Sequence, residues 1–237
     1  GARFTFPTVA SIAVKNQRLT HEIAESGHEI AVHGFKHIKY ALYAEPQQDD
    51  DLERALAAFK MMGITVRGFR APYNSYAECT PRLVEKHSFL WDAGIGFSQK
   101  YRENTSPFRV PLGEAHMSSF VCLPLNQWSD DKMIDDLGFK SQQVEQTLKL
   151  AIRKTAGKHG LIMFDLHPIR IGQPQYVKAL KRVVAYGTEL NGWFPTVTEA
   201  VDYWSKYGSW KHDSSFCCLL TGDIDNFVFS DYLRRFL

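Results

Sequence analysis

Apolar and polar positions switch repeatedly between two periods along this chain. Compact apolar runs with strand character fall at residues 4–13, 29–32, 66–69, 120–125 and 161–166, with a weaker one at 94–97. Between them the spacing turns helical. Residues 19–26 are closed by Gly27, and residues 49–62 carry Leu52, Leu56, Phe59 and Met62 on one stripe ended by Gly63. Further helices are predicted to start at residues 81–87, over 144–154 and 176–185, and over 195–204 behind the capping pattern Thr196–Glu199. Residues 102–140 are irregular and rich in turn formers. The run 216–225 reads as a buried strand with two carboxylates, Asp223 and Asp225, at its C-terminal end. Repeated strand–helix alternation predicts an α/β fold on a parallel sheet, open or closed.

Composition narrows the picture. A chain of 237 residues with 44% hydrophobic content suits one sizeable domain. Its net charge of +2, without a Lys/Arg block, argues against nucleic acid and anionic membranes as partners. No apolar run is long enough to span a bilayer, and the first residues do not form a signal peptide. Cys79, Cys122, Cys217 and Cys218 fit no zinc motif, and the adjacent pair points to opposite faces of its strand. Free thiols favour the cytoplasm, with a mature secreted form as the alternative.

Three sites carry candidate chemistry. His33 and His37 stand four residues apart just after a strand, and a helical turn there would let both grip one ion. His28, ahead of that strand, reads as structural. Arg70 ends a strand and is followed by the rigid Ala71-Pro72-Tyr73 turn, while His167 ends the most apolar strand, where parallel α/β folds place working groups. Each has a plain reading as a surface or core residue. None of these sites has a carboxylate partner until Asp223 and Asp225 are brought beside it.

Taken in order, these segments resemble the polysaccharide deacetylases of the NodB-homology type, carbohydrate esterase family 4. Residues 27–37 (Gly-His-Glu-Ile-Ala-Val-His-Gly-Phe-Lys-His) are similar to the family's second motif, Arg70-Ala-Pro-Tyr73 to the third and Leu166-His-Pro168 to the fifth. The resemblance implies a distorted (β/α)7-type barrel. It implies His33, His37 and Asp225 as ligands of one divalent metal, Zn²⁺ first and Co²⁺, Ni²⁺ or Mn²⁺ as alternatives. It further implies Asp223 as general base, Arg70 as the group that keeps Asp223 ionised, and the Tyr73 backbone N–H as oxyanion donor. His167 would be the general acid and Leu166 a lining for the acetyl methyl group. Asp165 is read as facing away from the site. For the fourth motif, an aspartate and tryptophan that tune the arginine, the candidates are Trp91-Asp92 and Ser129-Asp-Asp131.

The family's first motif, an aspartate pair on the first strand, is expected ahead of everything else, and here Thr221–Asp225 fits it instead. Residues 228–237 continue with helical spacing (Val228, Tyr232, Phe236; Phe229, Leu233, Leu237). The order therefore reads as a circular permutation of a single domain over residues 1–237. Residues 205–215 would link the usual ends, and 216–237 would supply the usual first strand and helix. The competing account is a chain that begins late and ends inside a second domain. The expected activity is removal of N-acetyl groups from an amino sugar in a glycan or its precursor. The alternatives are hydrolysis of another non-peptide C–N bond, in a cyclic amide or formamide, and an inactive glycan-binding domain. An N-acetylated glycan is the expected partner, and the oligomeric state is left open.

Overall fold

The structure, a computed structural model, describes residues 1–101 and 104–226. The helix expected over 228–237 lies outside the described residues. Eight strands are present among them: β1 (Phe4–Thr8), β2 (Glu29–Val32), β3 (Gly68–Phe69), β4 (Trp91–Asp92), β5 (Val121–Cys122), β6 (Leu161–Leu166), β7 (Gly192–Trp193) and β8 (Phe216–Gly222). All their pairings are parallel, along the path β5-β4-β3-β2-β1-β8-β6, with β7 beside the start of β8. The eight helices are α1 (Ala10–Lys15), α2 (Gln17–Glu25), α3 (Glu45–Met61), α4 (Thr80–Lys86), α5 (Ser141–Ala156), α6 (Pro168–Ile171), α7 (Pro174–Glu189) and α8 (Val197–Tyr207). The sheet is parallel, as the alternation of apolar runs predicted, and curls as a half-barrel, in line with the distorted barrel that the resemblance implied.

β8 is the strand that joins the two halves of the sheet. Its Leu220 and Thr221 pair with Phe4 and Thr5 of β1, while Cys217–Gly222 run in register with the whole of β6. Both β6 and β8 are fully buried, as expected of near-continuous apolar runs in a parallel sheet.

Side-chain alternation divides the core. Ala31, Trp91, Leu123, Met163, Cys217 and Leu219 form one cluster, which Val197, Ala200 and Val201 of α8 close at one end. Their neighbours one residue away, among them Ile30 and Val32 or Ile162, Phe164 and Leu166, pack against the other helices. At Gly68 any side chain is excluded, because a Cβ there would lie 1.8 Å from the Trp91 ring.

Three local expectations change. Residues 94–97 form no strand: Asp92 accepts hydrogen bonds from the backbone N–H groups of Gly94 (3.0 Å) and Ile95 (2.8 Å), turning the chain into a 3₁₀ turn at Ile95–Phe97. Residues 33–37 form a loop, not a helix, because Gly34 adopts φ +75°. Residues 205–215 are more than a linker. Helix α8 continues to Tyr207 and ends at left-handed Gly208, and beyond it Trp210 is buried with its indole N–H on the His159 carbonyl at 3.0 Å.

Candidate active site

The strand alternation that fills the interior also builds the site. Continuing the inward-facing rows two residues past Ala31, Met163 and Thr221 gives His33, Asp165 and Asp223, all at the C-terminal ends of their strands. A cleft of about 570 Å³ opens there, lined by His33, His37, Tyr73, Asp165, His167, Asp223 and Asp225 among others. The predicted ligands and catalytic residues His33, His37, Tyr73, His167, Asp223 and Asp225 therefore meet in one place, with Arg70 fully buried beneath it.

His33, His37 and Asp225 converge despite the absence of a helix. The two imidazole rings lie 5.2 Å apart, and their Nε2 atoms stand 3.3 and 3.1 Å from Asp225 Oδ1. The His33 Nδ1 atom is 2.8 Å from the Arg70 carbonyl, which can only accept, so Nδ1 carries the proton and a neutral ring turns its Nε2 lone pair to Asp225. A proton on Nε2 or a cation held between Nε2 and the carboxylate oxygen would each bridge that gap. Atoms bound to one tetrahedral Zn²⁺ at about 2.0–2.2 Å lie about 3.3–3.6 Å apart, so the observed spacing and the two-imidazole, one-carboxylate donor set fit a divalent metal. Burial alone would depress the His33 pKa, but the Asp223 and Asp225 carboxylates and the Arg70 carbonyl carry it above the ordinary value. Asp225, buried between the two imidazoles, is held well below the usual carboxylate range by them.

Asp223 sits one step inward. Its Oδ1 accepts a 2.6 Å bond from Arg70, and its Oδ2 lies 3.6 Å from His33 Nε2. Arg70 spends all its donors on anchoring: Nε to the Ala93 carbonyl (3.0 Å), Nη1 also to Asp165 (2.9 Å), and Nη2 to Thr221 Oγ1 (2.8 Å). Burial still pushes the Asp223 carboxyl up to about 6 against the Arg70 charge, with the Asp165 carboxylate adding to the rise. Arg70, expected to keep Asp223 ionised, does favour the carboxylate, but works against a larger opposing effect, desolvation.

His167 has its own carboxylate. Asp130, fully buried, accepts from the His167 backbone N–H and faces its Nδ1, both at 2.7 Å. Burial disfavours the imidazolium, but the Asp130 bond and the nearby Asp165 and Asp223 carboxylates raise its pKa to about 10. Asp130 belongs to the Ser129–Asp131 candidate segment, though it serves His167 rather than the arginine. The other candidate, Asp92, is anchored by Tyr76 Oη at 2.7 Å and makes no hydrogen bond to Arg70, acting on it by charge and through the neighbouring Ala93 carbonyl.

Two side chains stand where the sequence reading did not put them. Asp165 and His167 are two residues apart and so share a face, and Asp165 lies in the cleft, bonded to Arg70 and to Asn74 Nδ2 (3.2 Å). Leu166, between them, faces the other way. It is fully buried with Ile171, Tyr176 and Leu180 and is not part of the cleft lining, so a contact with an acetyl group is not available to it. Tyr73 sits on the cleft wall in the left-handed region (φ 60°), its ring 4.2 Å from that of His37. His28 is structural: its Nδ1 accepts the Phe4 N–H at 3.1 Å, and its ring stands edge-on to Phe4 and Phe6.

Comparison with known proteins bears on the sequence family and the fold. The sequence model of the family described as polysaccharide deacetylase matches residues 1–89. The peptidoglycan deacetylase of Helicobacter pylori is 24% identical over 107 residues, a stretch covering 45% of this chain and 35% of the relative. The chain thus aligns with only about a third of that curated protein's length. Among solved structures, a probable polysaccharide deacetylase from Pseudomonas aeruginosa PAO1 superposes with a TM-score of 0.76 at 22% identity, covering 89% of this chain and 70% of the other. Puue allantoinase superposes with 0.75 at 21% identity, again over 89% of this chain and 70% of its own. The chain is thus similar to the polysaccharide deacetylase family in sequence over residues 1–89, and shares the fold of the solved structures over most of its length.

Proposed function

We propose that this protein is a metal-dependent hydrolase that removes N-acetyl groups from an amino sugar in a glycan or glycan precursor. The observation that carries the reading is the convergence of two differently buttressed groups, Asp223 on Arg70 and His167 on Asp130, beside His33, His37 and Asp225 in one cleft. His33, His37 and Asp225 would hold a divalent ion, Zn²⁺ by donor type. When bound, that ion supplies Lewis acidity, polarising an amide carbonyl and acidifying water.

The chain's own groups do the rest. Asp223, with Oδ1 fixed by Arg70, takes the proton of the attacking water as general base. The Tyr73 backbone N–H donates to the oxygen that gains charge at the tetrahedral stage. His167, protonated at neutral pH with Nδ1 on Asp130, gives a proton to the departing amine from Nε2, so that the C–N bond breaks to a free amine and acetate. Arg70 touches no solvent and acts by positioning Asp223.

In this reading β8 takes the place of the family's first strand, and the chain order is cyclic relative to the family pattern within one domain. The pairing of β8 between β1 and β6 supports it. The test of function is release of acetate from N-acetylglucosamine oligomers by protein loaded with Zn²⁺ or Co²⁺. Stoichiometric acetate and free amine support the proposal. No acetate across such oligomers, with hydrolysis of a cyclic amide instead, moves the reaction to the second C–N reading, which the equally close superposition on an allantoinase favours. No hydrolysis of either substrate class, with glycan binding unchanged in Asp223→Asn, points to a binding domain; a pseudoenzyme of carbohydrate esterase family 4 from Bacillus anthracis is among the solved structures that share the fold.

A further inference from the structure

Helix α3 buries polar side chains on the face it turns to the core. Gln48 and Asp51 lie there beside Leu52, Ala55 and Phe59, with Asp51 only 5% exposed. A buried carboxylate is costly unless it is hydrogen-bonded, and Asp51 accepts three bonds. Oδ2 accepts from the Phe35 N–H and the Tyr40 hydroxyl, each at 2.8 Å, and Oδ1 from the Lys36 N–H at 3.1 Å. Phe35 and Lys36 are the backbone between His33 and His37. The same stretch is gripped from its other side, where the Ala10 and Ser11 amides at the start of α1 donate to the carbonyls of Gly34 (2.9 Å) and Phe35 (3.1 Å). Close approach of the carboxylate also explains Gly34: a Cβ there would lie 2.8 Å from Asp51 Oδ2.

The loop has no regular hydrogen-bonding ladder of its own, so its shape is imposed by these contacts. We propose that Asp51 is a positioning residue for the metal centre, fixing the separation of the His33 and His37 imidazoles by holding the two amides between them. This rests on the reading of His33, His37 and Asp225 as metal ligands. Asp51 lies behind the loop and reaches neither the cleft nor the ligand atoms, so it acts on the ion only through backbone geometry.

The test is Zn²⁺ affinity measured by chelator competition, with the Co²⁺ absorption spectrum and the unfolding midpoint of the metal-free protein recorded alongside. Asp51→Asn keeps the shape but turns a donor toward the loop amides. It is expected to weaken Zn²⁺ binding about 10- to 100-fold and to change the Co²⁺ spectrum. Tyr40→Phe removes one of the three donors and is expected to weaken binding about fivefold. Asp51→Asn binding Zn²⁺ within twofold of wild type, with the same Co²⁺ spectrum, overturns the proposal. So does a loss fully accounted for by partial unfolding of the metal-free variant, which is what a merely structural role would give. If Asp51→Asn does not fold, Tyr40→Phe decides, and affinity within twofold of wild type overturns it. Wild type that binds neither ion, or His37→Ala that binds as tightly as wild type, defeats the metal reading itself and the inference with it.

Discussion

His33 and His167 occupy the same cleft, each with Nδ1 engaged 2.7–2.8 Å away and Nε2 as its remaining ring nitrogen. They differ in what Nδ1 meets. For His33 it is a neutral backbone carbonyl, which places the Nδ1 proton and leaves Nε2 as the ring atom that faces Asp225. For His167 it is a buried carboxylate, which stabilises the imidazolium and leaves Nε2 an acid. One residue type thus supplies a ligand-like group and an acid-like group about one cleft. The choice between them lies in one buried partner.

The contrast breaks most sharply on the ligand side. His37→Ala or Asp225→Ala is expected to abolish stoichiometric Zn²⁺ binding, measured by metal analysis after gel filtration, and to lower hydrolysis by about 1000-fold or more. Full activity without bound metal would end the comparison. On the acid side, His167→Ala should cost about 100- to 10,000-fold in kcat while metal stoichiometry stays at the wild-type value. Loss of metal in that variant would mean that the two histidines do not have separate tasks.

Asp130→Asn sharpens the comparison by giving His167 a neutral partner, as His33 already has. The His167 pKa is raised to about 10, so its protonated form persists through neutral pH; without the carboxylate it moves down toward the ordinary 6.5. The alkaline limb of the kcat profile should therefore move to lower pH, with kcat at neutral pH falling about tenfold. An unmoved limb would show that another group sets it. Linkage gives a companion effect. A raised folded-state pKa contributes stability that is complete below pH 6.5 and lost as pH rises through about 10. Denaturant midpoints of wild type and Asp130→Asn should accordingly lie furthest apart near pH 6 and draw together above pH 10. The smallest effect is at the third histidine. His28→Leu leaves the Phe4 N–H without its acceptor and should cost about 1–3 kcal/mol of stability, with kcat within twofold of wild type.

Much of this was legible in the chain. β2 and β6 fall on the residues their apolar runs predicted, because parallel strands buried on both faces announce themselves by continuous hydrophobicity. The approach of Asp223 and Asp225 to His33 was implied by the resemblance of Thr221–Asp225 to the first motif of a known family, while the strand pattern alone showed only two carboxylates on one side of a strand end. What failed was local. Leu166 and Asp165 were assigned to the wrong faces, although the strand period alone puts residues 165 and 167 together. Asp130 was out of reach for a different reason. It comes from an irregular stretch, where no period indicates direction, and its partner His167 is brought to it only by tertiary folding. Asp51 gave no signal at all, since one acidic residue in the run Asp49-Asp50-Asp51 looks like a solvated face until the loop it holds is seen.

The central position of β8 has a consequence in time. Every neighbour of that strand precedes it in the chain, so synthesis completes β1, β6 and β7 before β8 can be inserted between them. Thr5 and Thr221, paired side by side, are among the most distant residues in the sequence, and such pairings form slowly because a long loop must close first. On refolding, the helices and local contacts of the early segments can re-form while the sheet is still split in two. Asp223 and Asp225 arrive only with the closing strand, so recovery of the proposed activity should trail recovery of helical signal, and the cleft is not assembled before the sheet is whole.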